Sequence, residues 1–555
     1  MSFRTRSMLV PAITLALAAT GCTDSGARSG APDQAVAGVR ANASPDAARA
    51  KAPAEATVML TGATAQALAI AASGALFDHA PLVLLAAAGD AALQSDAAPV
   101  AARLGVPMLL TPAPAPDAPA PDAPAADAPD SDALVRELDR LDATTILTFG
   151  PAAGQWAEQS GGDREIVAAP AAASGVVGAA PAGTDSAAPG PLTGKDLTKA
   201  SAELGLPAMS VTESSGDVLV LASPAETDVA ATATARAAGA SVHVLAVADP
   251  RADSAVIARL SDQPPRAVVA LGAAFGAPEQ LRRRINSAST GVELPGGGQL
   301  VFPNRRLVAL YGSPEGPSLG VLGEQPLEAT LARAKKIAAD YAPLSDVPVV
   351  PALEIITTVA SEAAGGDGDY SSEDSVEDLR PWVEQAGAAG VYVVLDLQPG
   401  RSDFLSQAKR YAELLAFPHV GLALDPEWRL RPGQRHMAQI GSVGVNEVNQ
   451  VVNWLAELTR ERKLPQKVFI LHQFRLSMIT DRASLDMSHD ELAMLIHVDG
   501  NGSQPQKQST WRTLTASPPA GSWLGWKNFY DEDSPTLTPA ETMAVTPTPS
   551  FISYQ

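Results

Sequence analysis

Residues 390–428 contain two short apolar runs separated by an amphipathic segment, and this pattern restricts the fold more than any other part of the chain. The segment reads GVYVVLDLQPGRSDFLSQAKRYAELLAFPHVGLALDPEW. The first run ends at Asp396, and the second ends at Asp425 and Glu427. The pattern predicts a β-strand, a crossover helix and a parallel β-strand. Carboxylates are therefore expected at the exits of two parallel strands.

The same rhythm continues through residues 300–555, a length typical of a (β/α)8 barrel. All seven Tyr and six of the seven Trp lie in this part of the chain, so we place a domain boundary near residue 300. Eight apolar runs are candidate strands: 306–311, 347–354, 391–396, 420–425, 467–472, 493–499, 524–530 and 551–554. The sequence thus predicts a C-terminal (β/α)8 (TIM) barrel over 300–555.

The alternation of side chains along each strand predicts which of them face the barrel interior. In the fourth strand Gly421, Ala423 and Asp425 share the inward face. The same count places polar groups inward at the ends of five neighbouring strands, namely Glu354, Asp396, Asp425, His472, and His497 with Asp499. Barrel enzymes keep their catalytic groups at this carboxyl end. We therefore predict one polar site at the barrel mouth.

Crowded carboxylates suggest acid–base chemistry at this mouth. Adjacent strands lie about 4.8 Å apart, so Asp396 and Asp425 can meet, with Glu427 just above. Repulsion raises the proton affinity of one acid and leaves another ionised, as glycosidic cleavage requires. The predicted catalytic residues are Glu427, Asp425, Asp396, Glu354 and Asp499. The predicted substrate-binding residues are Tyr311, Trp428, His472, Phe474, Trp526 and Tyr530.

The C-terminal half also resembles barrel glycoside hydrolases in general. Asp425-Pro426-Glu427 is similar to the D-x-E at the fourth-strand exit of family 18 chitinases and family 25 lysozymes. In those families the Glu is the general acid. The resemblance implies that Glu427 is the acid and Asp425 its partner, with Asp396 as a second candidate for base, nucleophile or stabiliser.

Other roles for these residues remain open from the sequence. Each acid could instead cap a helix or pair with Arg401, Arg429 or Lys527 at the rim. Lys527 is also a candidate amine nucleophile. A metal site would have to use His472, His497, Asp499 and Asp531, but no ligand spacing typical of a metal centre supports it. No metal and no cofactor is therefore predicted.

The N-terminal half alternates short apolar runs with Ala-rich segments. Strands are expected at 58–60, 81–85, 107–110, 145–150, 218–221, 242–245 and 267–272. Near-continuous apolar strands between helices predict a doubly wound parallel α/β domain over 57–290. Residues 112–130 repeat Pro, Asp and Ala, and residues 157–216 are rich in Gly, Ala and Pro. Both segments are predicted to be disordered inserts.

This half resembles the cell wall-binding repeat 2 family over 57–156 and, more loosely, over 217–285. The resemblance is carried by Ala-Pro-Leu-Val-Leu-Leu at 80–85, Val-Pro-Met-Leu-Leu-Thr at 106–111, Glu137-Leu138, and Thr-Ile-Leu-Thr-Phe-Gly at 145–150. In that family, tandem copies anchor exported proteins to anionic wall polymers. The resemblance implies a wall-polymer partner.

The N-terminus has the features of an export signal. Arg4 and Arg6 precede an apolar stretch over 8–19 that is too short to span a bilayer, followed by Ala-Thr-Gly-Cys at 19–22. The end of this stretch resembles a bacterial lipobox, which implies a signal peptide over 1–22 and lipidation of Cys22, the only cysteine. Residues 23–56 have almost no large apolar side chains and are predicted to be a flexible tether.

The net charge of −21 argues against a nucleic-acid partner. We therefore predict a membrane-anchored, extracytoplasmic lipoprotein whose barrel hydrolyses a cell-wall or extracellular polysaccharide. One alternative is a non-catalytic envelope protein whose barrel only binds a glycan or a partner. Another is a solute-binding lipoprotein, although eight strands after residue 300 do not fit two similar lobes.

Overall fold

The computed structural model describes residues 47–112, 131–178 and 190–555. The predicted signal peptide with Cys22, most of the predicted tether and residues 113–130 of the first predicted insert lie outside these ranges. Among the described residues, no helix has both the length and the apolar character needed to cross a bilayer. Lipidation of Cys22 therefore stays a prediction from the sequence.

The N-terminal domain contains two four-stranded parallel sheets. Its strands are β1 (Arg49–Ala50), β2 (Thr57–Leu60), β3 (Phe77–His79), β4 (Leu82–Ala87), β5 (Met108–Thr111), β6 (Thr145–Phe149), β7 (Glu165–Ala168), β8 (Val218–Ala222), β9 (Ser241–Val244) and β10 (Ala267–Leu271). The first sheet has the order β5-β4-β6-β7 and the second the order β2-β10-β8-β9. β2 pairs with β10 and so belongs to the second sheet. After β2 the chain passes to the first sheet, and it returns to the second sheet at β8.

Helices cover both faces of the second sheet. The helices of this domain are α1 (Ala65–Leu76), α2 (Ala91–Leu104), α3 (Ser131–Arg140), α4 (Pro151–Ser160), α5 (Ala173–Val176), α6 (Gly194–Glu203), α7 (Val229–Ala237), α8 (Ser254–Asp262) and α9 (Pro278–Ala288). Val220 and Val269 pack into the core shared with the first sheet, whereas Leu221 and Ala270 pack against Ile257 and the rest of the α8–α9 layer. The predicted doubly wound parallel α/β class is confirmed.

Two segments predicted to lack structure contain ordered elements. Residues 157–216 include β7, which pairs in parallel with β6, and also α5 and α6. Residues 49–50, within the predicted tether, form β1 and pair with β3, and Ala47 and Ala48 are buried. Both predictions are corrected in these parts. Small side chains allow close packing there, so low apolar content did not indicate an absence of structure.

The C-terminal domain is a closed barrel. Its strands are β11 (Arg306–Gly312), β12 (Val349–Ala360), β13 (Ser371–Glu373), β14 (Tyr392–Leu397), β15 (Val420–Leu424), β16 (Val443–Gly444), β17 (Lys467–Gln473), β18 (Ile479–Thr480), β19 (Leu492–Val498), β20 (Trp523–Asn528) and β21 (Phe551–Tyr554). Eight of these described strands form a parallel ring in the order β11-β21-β20-β19-β17-β15-β14-β12, and β12 pairs with β11 to close it. The predicted (β/α)8 barrel and its eight strands are confirmed.

The alternation of side chains follows the predicted pattern. Ala352, Val394 and Ala423 belong to the apolar cluster inside the barrel, whereas Leu422 and Leu424 pack outward. The outer layer consists of α10 (Leu327–Tyr341), α11 (Val376–Ala388), α12 (Phe404–Arg410), α13 (Ala412–Leu415), α14 (Val445–Glu461), α15 (Gln504–Thr515) and α16 (Pro539–Met543). The inward faces of the strands therefore end in the polar groups at the mouth.

The N-terminal domain packs against the amino end of the barrel. Arg251 is buried and forms ion pairs with Asp249 (2.8 Å) and with Asp490 (3.0 Å), which precedes β19. Leu294 and Phe302, between α9 and β11, extend the interior cluster at this same end. The opposite, carboxyl end of the barrel is thus left accessible.

Gly421 occupies a tightly packed position inside the ring. An added Cβ there would lie 2.6 Å from the carbonyl oxygen of Val468 and 3.1 Å from the hydroxyl of Tyr392. Since the neighbouring backbone cannot move freely, Gly421→Ala should destabilise the barrel by about 1–3 kcal/mol. Chemical denaturation followed by Trp fluorescence measures this effect. Gly366→Ala is the control, because a Cβ at Gly366 meets open space; equal stability of both variants would contradict the packing.

Candidate active site

Five neighbouring strands bring their polar residues to the carboxyl end of the barrel. Glu354 of β12 lies next to Val394 of β14, and Asp396 lies next to Ala423 of β15. His472 of β17 lies directly beside His497 of β19. The strand register therefore places these side chains in two adjoining layers around a single axis.

The upper layer surrounds a cleft of about 570 Å³ at the barrel mouth. Four acids line it, namely Asp425, Glu427, Asp499 and Glu532. Its other charged groups include Arg475 and Lys527, and its aromatic walls include Tyr311, Trp428 and Phe474. The cleft thus combines carboxylates, cations and flat apolar faces.

A short capped turn positions the acid at the fourth strand exit. Asp425 accepts a hydrogen bond from the backbone N–H of Glu427 (3.1 Å) and caps the 3-10 helix Pro426–Trp428. Pro426 suits the first position of this helix, because it has no N–H to satisfy. The turn places Glu427 and Trp428 on the cleft wall. Asp425 consequently has a structural role, as one of the alternatives from the sequence proposed.

The lower layer lies beneath the cleft and consists of side chains without solvent exposure: Glu354, Asp396, His472 and His497. His472 contacts Glu354 through Nε2 (3.0 Å) and Asp499 through Nδ1 (3.0 Å). The same Nε2 atom lies 3.7 Å from Oδ1 of Asp396. His472 therefore joins three carboxylates, of which only Asp499 also lines the cleft.

Further contacts hold the two layers together. The Tyr311 hydroxyl donates to Asp396 Oδ2 (3.0 Å), and the Lys527 ammonium lies 3.4 Å from the centre of the Tyr311 ring. Ser553 shares a hydrogen bond with His497 Nε2 (3.1 Å). Tyr311 and Lys527 thus connect the cleft with the buried layer.

Burial and mutual repulsion separate the proton affinities of the acids. Burial, helped by the charge of Asp499, raises the pKa of Glu427 to about 7. Burial also raises the pKa of Asp396 to about 6. Burial opposes ionisation of Asp499 as well, but the hydrogen bond and charge of His472 outweigh it and lower the pKa of Asp499. The cleft therefore contains an acid that holds its proton near neutral pH and a carboxylate that stays ionised.

The eleven predicted site residues divide into three groups: six line the cleft, three are buried below it, and two lie outside it. The cleft is lined by Asp425, Glu427, Asp499, Tyr311, Trp428 and Phe474. Glu354, Asp396 and His472 are fully buried below it, so they cannot touch a molecule bound in the cleft.

Two aromatic predictions are wrong. Trp526 is buried outside the ring, where it packs against Trp511 (ring centroids 5.4 Å apart). Tyr530 stacks on Tyr554 (5.3 Å), which belongs to the outer core. Neither ring faces the cleft, because inward and outward positions alternate along the strand and β20 has Lys527 inward.

Of the three basic residues that the sequence offered as partners for the acids, Lys527 lines the cleft and the two arginines have other partners. Arg429 forms an ion pair with Glu447 (2.9 Å), and Arg401 donates to the carbonyl of Gln434 (2.8 Å). Asp531 is exposed at the surface. The acids of the cleft are thus not covered by these arginines.

Several polar cleft residues were missed from the sequence, among them Gln398, Arg475, Asn501 and Glu532. Each follows a predicted strand by only a few positions. Gln398 also lies 3.4 Å from the Tyr311 hydroxyl. Their position just beyond strand exits was the available signal, but the sequence did not show which way these loops turn.

The fold and the cleft define a two-domain protein with an acidic site at the mouth of a (β/α)8 barrel. No protein-family model matches the chain, and no curated protein matches it in sequence. Among solved structures, Cwp6 from Clostridium difficile is similar with 13% identity and a TM-score of 0.31, over 62% of this chain and 63% of Cwp6. The xylanase and alpha-amylase inhibitor protein XAIP-II from Scadoxus multiflorus has 13% identity and a TM-score of 0.28, over 45% of this chain and 92% of its own. Cwp8 from Clostridium difficile has 15% identity and a TM-score of 0.17, over 65% of this chain and 52% of its own.

The pKa of Glu427 makes stability depend on pH. The folded chain holds the proton of Glu427 up to about pH 7, whereas the ordinary pKa of a glutamate is 4.5. The stabilisation that this proton gives to the folded state is therefore fully present below pH 4.5 and is lost as pH rises to about 7. Glu427→Gln has no such loss. The variant should gain up to about 3 kcal/mol relative to wild type between these pH values.

Denaturant unfolding at several pH values measures this gain. Glu461→Gln, at the exposed end of α14, is the control and should run parallel to wild type. Parallel profiles for Glu427→Gln as well would show that Glu427 titrates normally.

Proposed function

We propose that the barrel hydrolyses glycosidic bonds of a cell-wall or extracellular polysaccharide. The observation that carries this proposal is the cleft at the barrel mouth, where Glu427 lies among Asp425 and Asp499 with aromatic walls on either side. Cleavage of a glycosidic bond needs a carboxylic acid and a carboxylate flanking one bond.

Glu427 is the proposed general acid. It protonates the leaving oxygen of the glycosidic bond, and burial supports this role by holding the proton near neutral pH. Glu427 is also more exposed than Asp425, so its carboxyl group can reach a sugar in the cleft. The likeness of Asp425-Pro426-Glu427 to the D-x-E of barrel hydrolases supports the same assignment.

Asp499 supplies the ionised partner, as nucleophile or as base for a water molecule, because burial raises the pKa of Asp425 well above its ordinary value. Asp425 is held by the backbone N–H of Glu427, which favours a role in positioning. Asp499 reaches the cleft from β19, two strands further around the ring. This position leaves room for a sugar between Asp499 and Glu427, so we favour Asp499.

The aromatic side chains support a sugar as the ligand. Trp428 and Phe474 are partly exposed on the cleft wall, where their faces can stack on the apolar faces of pyranose rings. An envelope substrate is consistent with the predicted export signal, with Cys22 and with the resemblance of residues 57–156 to wall-binding repeats. The protein is thus proposed to act at the outer face of the membrane.

Glu427→Gln should lower kcat by about 10²–10⁴-fold, because the variant loses the proton donor while its shape is preserved. Asp499→Asn should have a comparable effect, and Asp425→Asn a smaller one, since Asn can still cap the turn. The measurement is release of reducing ends from purified wall glycan by the full chain.

Glu461→Gln serves as the matched control and should retain full activity. If the wild-type chain binds wall glycan but releases no reducing ends, the alternative of a glycan-binding, non-catalytic barrel is favoured. Unchanged turnover in Glu427→Gln would contradict the assignment of the acid.

A further inference from the structure

The lower layer beneath the cleft holds more negative than positive charge. Glu354 and Asp396 have no solvent exposure, and Asp425 and Asp499 are exposed by only 3% and 8%. The neighbouring cationic groups are Lys527 and, when it is protonated, His472. Buried carboxylates are costly unless they are paired with cations or protons. Protons or a bound cation must therefore balance the carboxylates of this layer and of the cleft wall above it.

One ligand atom each of Glu354, His472 and His497 lies within 4.8 Å of the other two, and Asp396 approaches one of the three. His472 Nε2 lies 3.0 Å from Glu354 Oε1 and 3.7 Å from Asp396 Oδ1, and His497 Nδ1 lies 3.9 Å from the same Glu354 oxygen. Ligands of a tetrahedral cation at about 2.0–2.1 Å stand roughly 3.3 Å from one another. A single cation can therefore contact Glu354, His472 and His497 after small shifts, and Asp396 joins them as a fourth ligand by moving closer to His497.

Several of these buried atoms have no hydrogen bond of normal geometry to the described residues. They are Glu354 Oε2, Asp396 Oδ1 and His497 Nδ1. A proton on His472 would satisfy Glu354 Oε1 but none of these three atoms. A bound cation nearby would compensate such buried polar atoms, whereas a protonated histidine alone does not.

The opposite side of three prospective ligands, His472, His497 and Asp396, is held by a second residue. Asp499 contacts Nδ1 of His472, Ser553 contacts Nε2 of His497, and Tyr311 donates to Oδ2 of Asp396. Metal-binding histidines typically bind a carboxylate, hydroxyl or carbonyl through the far ring nitrogen, which fixes the ring and its tautomer. The other nitrogen of each ring lies near the same Glu354 oxygen, at 3.0 Å for His472 and 3.9 Å for His497.

We propose that Glu354, Asp396, His472 and His497 bind one divalent transition-metal cation directly beneath the cleft. Two imidazole nitrogens with two carboxylate oxygens suit Zn²⁺, and Mn²⁺ is the harder alternative. The ligands come from four strands, β12, β14, β17 and β19, so the cation joins half of the ring. The site differs from the metal candidates in the sequence, because Glu354 and Asp396 replace Asp499 and the exposed Asp531.

This cation has a structural and electrostatic role. Tyr311 and Asp499 separate it from the cleft, and both contact a ligand below and line the cleft above. Binding therefore fixes the two cleft residues through the ligands that they touch. The proposal goes beyond glycoside hydrolysis and does not depend on it.

The test uses the purified full chain after treatment with a chelator. Zn²⁺ is added without glycan, and stoichiometry is measured by elemental analysis after dialysis and affinity by calorimetry. We expect one Zn²⁺ per chain and a rise in melting temperature of about 5 °C at a large excess of metal over its Kd. The X-ray absorption spectrum should show two imidazole ligands. A parallel titration uses Mn²⁺.

Variants separate this site from surface binding. Glu354→Gln keeps the side-chain shape and should weaken Zn²⁺ binding by at least about 100-fold, and Ser553→Ala by about 10–100-fold. His489→Gln removes another histidine that lies beside a carboxylate, Asp486 (3.4 Å), and should leave binding unchanged. Because Ser553 lies outside the cleft lining, its variant also tests the site if Glu354→Gln does not fold.

Absence of stoichiometric Zn²⁺ and Mn²⁺ binding by the folded chain would overturn the proposal. Binding that is unchanged in both Glu354→Gln and Ser553→Ala would overturn it too. Metal uptake by a chain that releases no reducing ends would support this site and contradict the hydrolase. Glycan cleavage by a chain that takes up no metal would support the hydrolase and contradict this metal site.

Discussion

Parallel pairing of β11 with β12 closes the ring, and the site depends on this closure. In an open sheet, the exits of β12 and β19 would lie at separate places along one edge. In the ring, Glu354 of β12 comes within 3.0 Å of His472 and 3.9 Å of His497. The closed hydrogen-bonding pattern thus turns residues more than a hundred positions apart into a single cluster.

The buried cluster opposes folding, whereas the apolar interior below it favours folding. Carboxylates taken out of water lose hydration that their neighbours replace only in part. His472, Tyr311 and Lys527 provide partial compensation, and the apolar interior with Ala352, Val394 and Ala423 provides the packing that keeps the ring closed. Local conflicts of this kind are expected where a fold holds a functional site.

The sequence predicted the ring and the inward faces well, because side chains in a strand alternate strictly and polar groups stood at matching ends. It did not predict how far below the cleft each polar side chain lies. A shift of one inward position, which is two residues along a strand, decides whether an acid lies in the cleft, as Asp499 does, or below it, as Glu354 does. That depth depends on the stagger between strands, which a sequence without its register does not contain.

Other errors had simpler causes. Trp526 precedes the inward Lys527 in β20, so alternation turns its ring outward. Its aromatic character, which is typical of sugar-binding residues, pointed to the cleft instead. Short elements such as β7 were overlooked because Ala and Gly pack closely without forming a strong apolar pattern. Loop residues such as Arg475 depend on turns that no periodic signal describes.

A crystal structure of the Glu427→Gln variant with a bound oligosaccharide from wall glycan tests the central claim most directly. We expect a sugar ring against Trp428 or Phe474, with a glycosidic oxygen about 3 Å from the side chain at position 427. An oligosaccharide bound away from the barrel mouth, with the cleft free of sugar at saturating concentration, would contradict the assignment of this mouth as the active site.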